Sequence, residues 1–428
     1  MTILALVIFV AAYALIASER IPRTLAALTG AGLMLALRVV TAEEAFSSPE
    51  TGIDWNVIFL LFGMMLIVAV LRRTGLFEYV AIWSAKRARG RPFRILVTLS
   101  VVTAVASALL DNVTTVLLVA PVTILLAERL AVSPVPYLLA EVLASNIGGA
   151  ATLVGDPPNI IIGSEADLSY LSFLSNLGPI SLITLVLFLA LARVMFGRQL
   201  HANPDRVAEV MELDEREAIT DRGLLVRSLV VLSLVTVGFV LQTVLGYDPS
   251  TVALVGAGVL VLVSRRDVGS LLRDVEWGTL VFFMGLFVMV GGLVKVGVIN
   301  TIAEESADAT GGSVLVATML ILVLSGLLSG FVDNIPYVAA MAPVVQQLTG
   351  TLDGGAATVL WWALALGADL GGNATAVGAS ANVVVVGIAG RAGHPIRFGE
   401  FLKYGAVVTI LSIAVSAVYL YVRYFVLT

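Results

Sequence analysis

The chain repeats itself. Asp54-Trp55 through Gly75 (DWNVIFLLFGMMLIVAVLRRTG) matches Glu276-Trp277 through Gly297 (EWGTLVFFMGLFVMVGGLVKVG) at an offset of 222 residues, Trp on Trp and Gly on Gly. The same offset carries Asp111-Asn112 onto Asp333-Asn334 and Pro121 onto Pro343. One residue later in register, GGAATLVGDPPN (148–159) matches GGNATAVGASAN (371–382). Any fold for this chain is therefore one supersecondary plan built twice.

Composition decides the solvent. Of 428 residues, 59% are apolar and only 13% charged, where a soluble domain carries about 25% charge. The mean hydropathy is +1.01. The chain reads as an all-α polytopic membrane protein, which excludes a cytosolic enzyme and a nucleic-acid binder. Cysteine is absent, and His201 and His394 both fall in polar connections. Thiolate and histidine metal sites are thereby excluded, and no cofactor is expected.

A helix needs about 20 apolar residues to cross a bilayer core. On that basis the first half has spans near 2–17, 24–40, 56–73, 137–163 and 173–196, and the second near 227–246, 251–263, 278–294, 357–388 and 402–425. Stretches 94–128 and 313–349 are too long for one helix, and each holds an Asp-Asn pair at its middle. The first repeat is 1–196 and the second 227–428. Residues 197–226 form a polar linker with an amphipathic helix on the membrane surface. The first stretch lacks a basic n-region and reads as a retained span rather than a cleaved signal. Five full spans per half is an odd number, so the two repeats enter the membrane inverted.

Arginine and lysine orient the chain. One side collects Arg20, Arg23, the cluster Lys86 to Arg94, Arg129, five arginines between 198 and 227, Arg265, Arg266, Arg273, Arg391 and Arg397. The other keeps only Arg38, Lys295 and Arg423, and holds Glu43, Glu44, Glu50, Glu165, Asp167, Glu304, Glu305 and Asp308. The basic side is cytoplasmic, and both termini are expected outside the cell membrane.

Two polar motifs recur, once per half. SALLDNVTTVLLVAP (107–121) and SGFVDNIPYVAAMAP (329–343) place carboxylates at membrane depth, where each costs roughly 2.5–3.5 kcal/mol on insertion scales unless a partner or cavity receives it. A re-entrant hairpin turning at Asp-Asn meets that demand; two complete helices with an Asp cap at their junction would also fit. NIGGAATLVGDPPNIIIG (146–163) and DLGGNATAVGASANVVVVG (369–387) interrupt spans with glycine pairs, and in the first copy with Pro157-Pro158. A broken span presents a half-helix N-terminus and free carbonyls at one point, which suits an ion and a small solute together. The binding candidates are Asp111, Asn112, Thr114, Gly148, Gly149, Thr152, Asp156 and Asn159 in the first half. Those in the second are Asp333, Asn334, Asp369, Asn373, Thr375, Ser380 and Asn382. The half-sites are unequal: Asp156 faces Ala379 across the repeat, and Asp369 faces Asn146. Glu141, whose repeat partner is Leu364, is either a proton carrier or a helix-end residue near Arg129.

LDNVTTVLLVAPVTILLAERL and LAEVLASNIGGAATLVGDPPNIIIG resemble the pigmentation P-protein family. That family belongs to the ion-transporter superfamily, alongside arsenite permeases, NhaD-type sodium/proton antiporters and sodium-coupled dicarboxylate carriers. The resemblance implies two inverted repeats, each with a scaffold part and a transport part holding one hairpin and one broken helix. In carboxylate-transporting relatives the tip is Ser-Asn-Thr and binds sodium with substrate. Here Asp111-Asn112-Val113 and Asp333-Asn334-Ile335 stand there, so Asn112 and Asn334 carry over, and sodium at either tip is implied.

The functional expectation is a non-enzymatic, ion-coupled secondary transporter working by elevator-like alternating access. Arsenite efflux and sodium/proton exchange both fit the residues, with sodium or proton as coupling ion. Dicarboxylate or sulfate uptake would need more arginine or hydroxyl donors at the tips. The expected surroundings are a lipid bilayer, a small inorganic ion or neutral solute, and a second copy in a homodimer. No G-x-x-x-x-G-K-[ST] loop occurs, so any ATP drive would come from a separate ATPase subunit.

Overall fold

The computed structural model describes residues 1–18, 20–197, 199–200, 204–212, 214–352 and 355–427; His201 lies outside them. Among the described residues every regular element is helical. The first half runs α1 Thr2–Ser18, α2 Arg23–Ala36, α3 Ala42–Ser47, α4 Trp55–Arg72 and α5 Leu76–Arg87. It continues with α6 Pro92–Leu109, α7 Asn112–Arg129, α8 Val135–Gly149, α9 Pro157–Glu165 and α10 Tyr170–Phe196. After α11 (Pro204–Met211) in the linker, the second half runs α12 Arg222–Val240, α13 Gln242–Leu245, α14 Pro249–Ser264, α15 Val268–Arg273, α16 Trp277–Lys295 and α17 Val298–Ala309. It closes with α18 Val314–Ser329, α19 Asn334–Thr351, α20 Val359–Gly371, α21 Ser380–Arg391 and α22 Phe398–Tyr421. Apart from the one-turn α13, the order of the first half is the order of the second.

Local sequence explains the boundaries. Asp54 caps α4 through the Asn56 and Val57 amides, and Thr41 with Glu44 closes a capping box on α3. Proline sits in the first turn of α6, α9 and α14, where its missing N–H is no loss. Gly75 and Gly297, at φ 78° and 81°, turn the chain from α4 into α5 and from α16 into α17. These two short helices, absent from the reading of spans, carry each repeat from its central span to its hairpin.

Ten spans were expected, and among the described residues seven helices are long and apolar enough to cross a membrane, α4, α6, α7, α10, α12, α16 and the helix beginning at Phe398, or eight if α17 and α18, bent by 118°, count as one span. Helices α1, α2 and α14 are apolar but only 17, 14 and 16 residues long. The stretches 137–163 and 357–388 divide into α8/α9 and α20/α21. Both arms of the first hairpin meet the length test, because Asp-Asn breaks one long apolar stretch into two complete helices.

Packing separates a frame from a paired core. In the frame, α4 packs on α14 and α16 on α2, so each repeat clasps the other. In the core, α6 packs on α8 and α18 on α20 within a repeat, while α7 meets α21 and α19 meets α9 across repeats. Each hairpin therefore touches both broken helices. Ion pairs join the ends of the frame: Arg73 reaches Asp274 and Ser270 on one side, and Lys295, its repeat partner, reaches Glu44 at 2.7 Å on the other. The linker is held to the first side by Lys86–Glu215 at 2.6 Å.

Candidate functional site

The hairpin tips and helix breaks share one skeleton of hydrogen bonds in both repeats. Asn112 N–H donates to the Gly155 carbonyl at 3.0 Å, and Asn334 N–H to Gly378 at 3.2 Å. Thr152 Oγ1 donates to Ala108 O and Thr375 Oγ1 to Gly330 O, both at 2.6 Å. Ser107 and Ser329 donate to the carbonyls of Ser145 and Ala368 at 2.7 and 2.6 Å. Asn159 Nδ2 spans the break to Gly149 O and Thr152 O, as Asn382 Nδ2 does to Gly372 O and Thr375 O. These bonds follow from placing helix ends in an apolar interior, where every free carbonyl and amide must find a partner. Thr152 and Thr375 thus tie breaks to tips, and Asn159 and Asn382 close the breaks, with the groups that sequence alone offers to a ligand. Gly148 and Gly149 serve the same junction: a side chain at either would collide with the backbone of Ala104 or Gly155.

On that skeleton the first tip is simple. Asp111 caps α7, accepting the Thr114 amide at 2.7 Å. The second tip is clasped. Asp333 caps α19 through the Ile335 amide at 3.1 Å, and its other oxygen accepts from Arg23 at 2.8 Å and from Ser380 Oγ at 2.7 Å. Arg23 also bonds Ser380 and lies 5.1 Å from the centre of the Phe282 ring. Sequence reading placed Arg23 among the loop arginines of the basic side. It stands instead at the start of frame helix α2 and reaches 310 residues along the chain to the tip. Nothing local in the sequence signals that pairing.

Between the tips lies a buried polar centre. Asp156, 1% exposed, accepts from Asn112 Nδ2 at 2.6 Å and from Asn334 Nδ2 at 3.3 Å, so one carboxylate holds both tip asparagines. Asn112 also donates to Asn146 Oδ1 at 3.2 Å, and Asn146 Nδ2 donates to Asn373 Oδ1 at 2.9 Å and Asn382 Oδ1 at 3.0 Å. Asn373 gives its own amide to Leu143 O at 3.5 Å, which makes it a bridge between half-sites. Asn146 is the member of this chain absent from the sequence-derived candidates; it is the repeat partner of Asp369. Asp369 is fully buried, and neither of its oxygens has a hydrogen-bond donor. Glu141 lies apart. It accepts from Thr123 Oγ1 at 2.6 Å, eleven residues and so roughly 16 Å along α7 from Asn112, not at a helix end.

Two cavities approach the tips from the frame. One, of about 530 Å³, is lined by Arg20, Arg23, Phe331, Asp333, Val377 and Ser380. A smaller one, of about 20 Å³, brings Asp111, Pro157, Glu276 and Arg23 together. A third, of about 710 Å³, lies toward the acidic side, between the 47–56 segment and the far ends of α9 and α19, with Glu165 and Gln346 on its wall. Among the described residues no group of three or more His, Cys, Asp or Glu side chains could hold a metal ion.

The sequence model of a citrate transporter family, CitMHS, matches residues 13–367. The uncharacterized transporter Rv2684 of Mycobacterium tuberculosis is 56% identical over 428 residues, covering both chains in full. The 46 kDa membrane protein of Mycobacterium leprae is 54% identical, also over its whole length. The human P protein is 34% identical over 98% of this chain and 60% of its own. Among solved structures, the Alcanivorax borkumensis YdaH transporter superposes with a TM-score of 0.59 at 16% identity, covering 93% of this chain and 95% of that one. Neisseria gonorrhoeae MtrF, described as an antimetabolite efflux pump, gives 0.60 at 12%, covering 94% and 85%. At such identities these two likenesses speak for the fold alone.

Proposed function

The chain belongs to the citrate transporter (CitMHS) family of multi-pass membrane transporters, and from that premise we propose that it is an ion-coupled secondary transporter exporting a small inorganic solute of the arsenite type. The observation that carries this reading is the convergence of both hairpin tips on Asp156: two tip asparagines from opposite repeats share one buried carboxylate. A channel needs an open path and a scaffold needs no buried charge, whereas a carrier needs a compact polar centre reachable from each side in turn.

The charge at the centre argues about the solute. Asp111, Asp156 and Asp333 gather around the tips against Arg20 and Arg23, the latter already held by Asp333 and Ser380. A citrate-like polyanion would meet net repulsion there. Arsenous acid, neutral near pH 7, would meet amide and hydroxyl partners without that cost. Alternation by an elevator movement is favoured by the separation of frame and core, since the most closely packed helix pairs lie within one or the other: α4 with α14 and α16 with α2 in the frame, α6 with α8 and α18 with α20 in the core. The cavity at Arg23 lies on the arginine-rich side, which favours a cytoplasm-facing state.

Sodium/proton exchange is the second reading, favoured by the unpartnered carboxylate of Asp369. Purified protein in liposomes, with imposed sodium or pH gradients and arsenite inside, separates the two. Arsenite movement driven by either gradient supports the first reading. Sodium and proton fluxes that are coupled to each other and indifferent to arsenite would replace it.

A further inference from the structure

The two copies of the helix break differ at one donor, and the difference points to an occupant. In the second copy, Asn382 gives its amide to Gly372 O and Thr375 O, both at 2.8 Å, and its Oδ1 accepts from Asn146 Nδ2 at 3.0 Å. In the first copy, Asn159 gives its amide to Gly149 O and Thr152 O at 3.4 and 3.1 Å. Its Oδ1 must therefore accept from whatever stands where Asn146 stands in the other copy. That residue is Asp369, which lies against Asn159. Asn159 Oδ1 and both Asp369 oxygens lack a donor, and both residues are 0% exposed. A buried amide oxygen and the buried carboxyl group beside it are thus each left without a donor in an apolar interior. A carboxylic acid O–H would restore the bond that the Asn146 amide makes in the other copy.

We propose that Asp369 holds a proton donated to Asn159 Oδ1, and that this is the coupling proton of the transport cycle; the second clause rests on the transporter reading above. The surroundings suit this. Among the described residues the ionisable group that bears on Asp369 is Asp156, the acceptor of both tip asparagine amides. From α8 come Asn146 and Glu141, the latter bonded to Thr123. Helix α18 presents Ser325 and Ser329, α19 presents Tyr337 bonded to Ser325, and α22 presents Thr409 and Ser412. No lysine, arginine or histidine is buried among the described residues. Asp369 lines neither of the two cavities at the tips. The proton would enter when the core moves and Asp156 is uncovered, and leave to the opposite side.

The test is Asp369→Asn, whose Nδ2 can make the missing bond and copies Asn146. A wild-type chain that keeps this proton when folded, and releases it above about pH 4 when unfolded, loses stability relative to the variant as pH rises. The melting temperature of D369N in detergent should therefore exceed wild type by a margin that widens from about pH 4 to pH 8. A margin independent of pH overturns the proposal. Sodium raising the melting temperature of wild type but not of D369N overturns it too, with sodium as the occupant. In liposomes, a pH gradient of about one unit can sustain about tenfold uphill distribution of arsenite per coupled proton. D369N should lose that distribution; D369N that still drives uphill movement at the wild-type pH profile contradicts the coupling role. If wild type moves no arsenite yet the widening margin is present, the transport reading fails and the protonated Asp369 stands.

Discussion

The two hairpin tips share a skeleton and differ in what they offer beyond it. Around each, the same threonine, serine and asparagine bonds tie tip to break, within a few tenths of an ångström of each other. Yet Asp111 does no more than cap its own helix, whereas Asp333 is clasped by Arg23 and Ser380. Arg23 has no counterpart, because Pro249 opens the equivalent helix α14. The lesson is that duplication is retained where an apolar solvent enforces it. Helix ends in a membrane must bond their amides and carbonyls, and the same residues do so twice. Charged side chains are under no such demand, and there the halves diverge. One repeat supplies the carboxylate Asp156 and the other Asp369, and the frame latches a single tip.

The largest expected effect breaks the comparison at its centre. Asp156→Leu removes the acceptor for both tip asparagines and should cost about 3 kcal/mol, seen as a fall in melting temperature and loss of flux. The milder Asp156→Asn should change the pH dependence of transport more than Asn373→Ala does. Asn373→Ala should weaken apparent solute affinity, acting through Asn146. Equal shifts in both pH profiles would leave the asymmetry without mechanistic content.

Next come the paired turn glycines. Gly297→Ala meets open space and should cost only the left-handed strain, about 1–2 kcal/mol. Gly75→Ala carries the same strain and also drives a methyl into the Ala218 carbonyl of the linker, so it should destabilise more. Thermal melting of both variants decides, and equal losses would mean the linker yields freely.

Arg23→Gln is expected to matter less for stability, about 1 kcal/mol, since Arg23 is 30% exposed and the pair is partly screened. Its sharper effect is on state. A single cysteine placed at Val377, in a chain with none of its own, should change its labelling rate in the Arg23→Gln background. An unchanged rate would reduce the latch to a surface contact.

The smallest effect concerns the ends of the frame. Glu44 is pulled down to about 2, first by its bond from Lys295 and then by Thr41. A carboxyl held below its unfolded value contributes stability above about pH 4.5 that is lost as pH falls toward about 2. Glu44→Gln should therefore melt below wild type at pH 7 and converge with it near pH 2. No convergence would mean the pair adds nothing.

Much of this was legible in residues alone. The offset of 222, the Asp-Asn tips and the glycine-proline breaks mark the repeat and the stretches that divide, because a break in an apolar run has few meanings. Two things were not legible. A polar residue beside a break can bind a ligand or bind the backbone, and Thr152, Asn159, Thr375 and Asn382 chose the backbone. And Arg23 looks like any loop arginine until α2 is seen to start at the tip of the other repeat. Helices α5 and α17 escaped because their polar residues interrupt the apolar pattern just after a glycine turn.

The central claim is that the core, clasped to the frame through Arg23 and Ser380, must let go of it in every cycle. The direct measurement is arsenite flux through liposomes bearing Arg23→Cys with Ser380→Cys, joined by a short thiol-to-thiol reagent that a reductant can cleave. The account expects flux to fall by about tenfold or more on joining, a barrier of about 1.4 kcal/mol or higher, and to return on cleavage. Joined protein that transports at the unjoined rate would show that tips and frame do not move apart, and would contradict it.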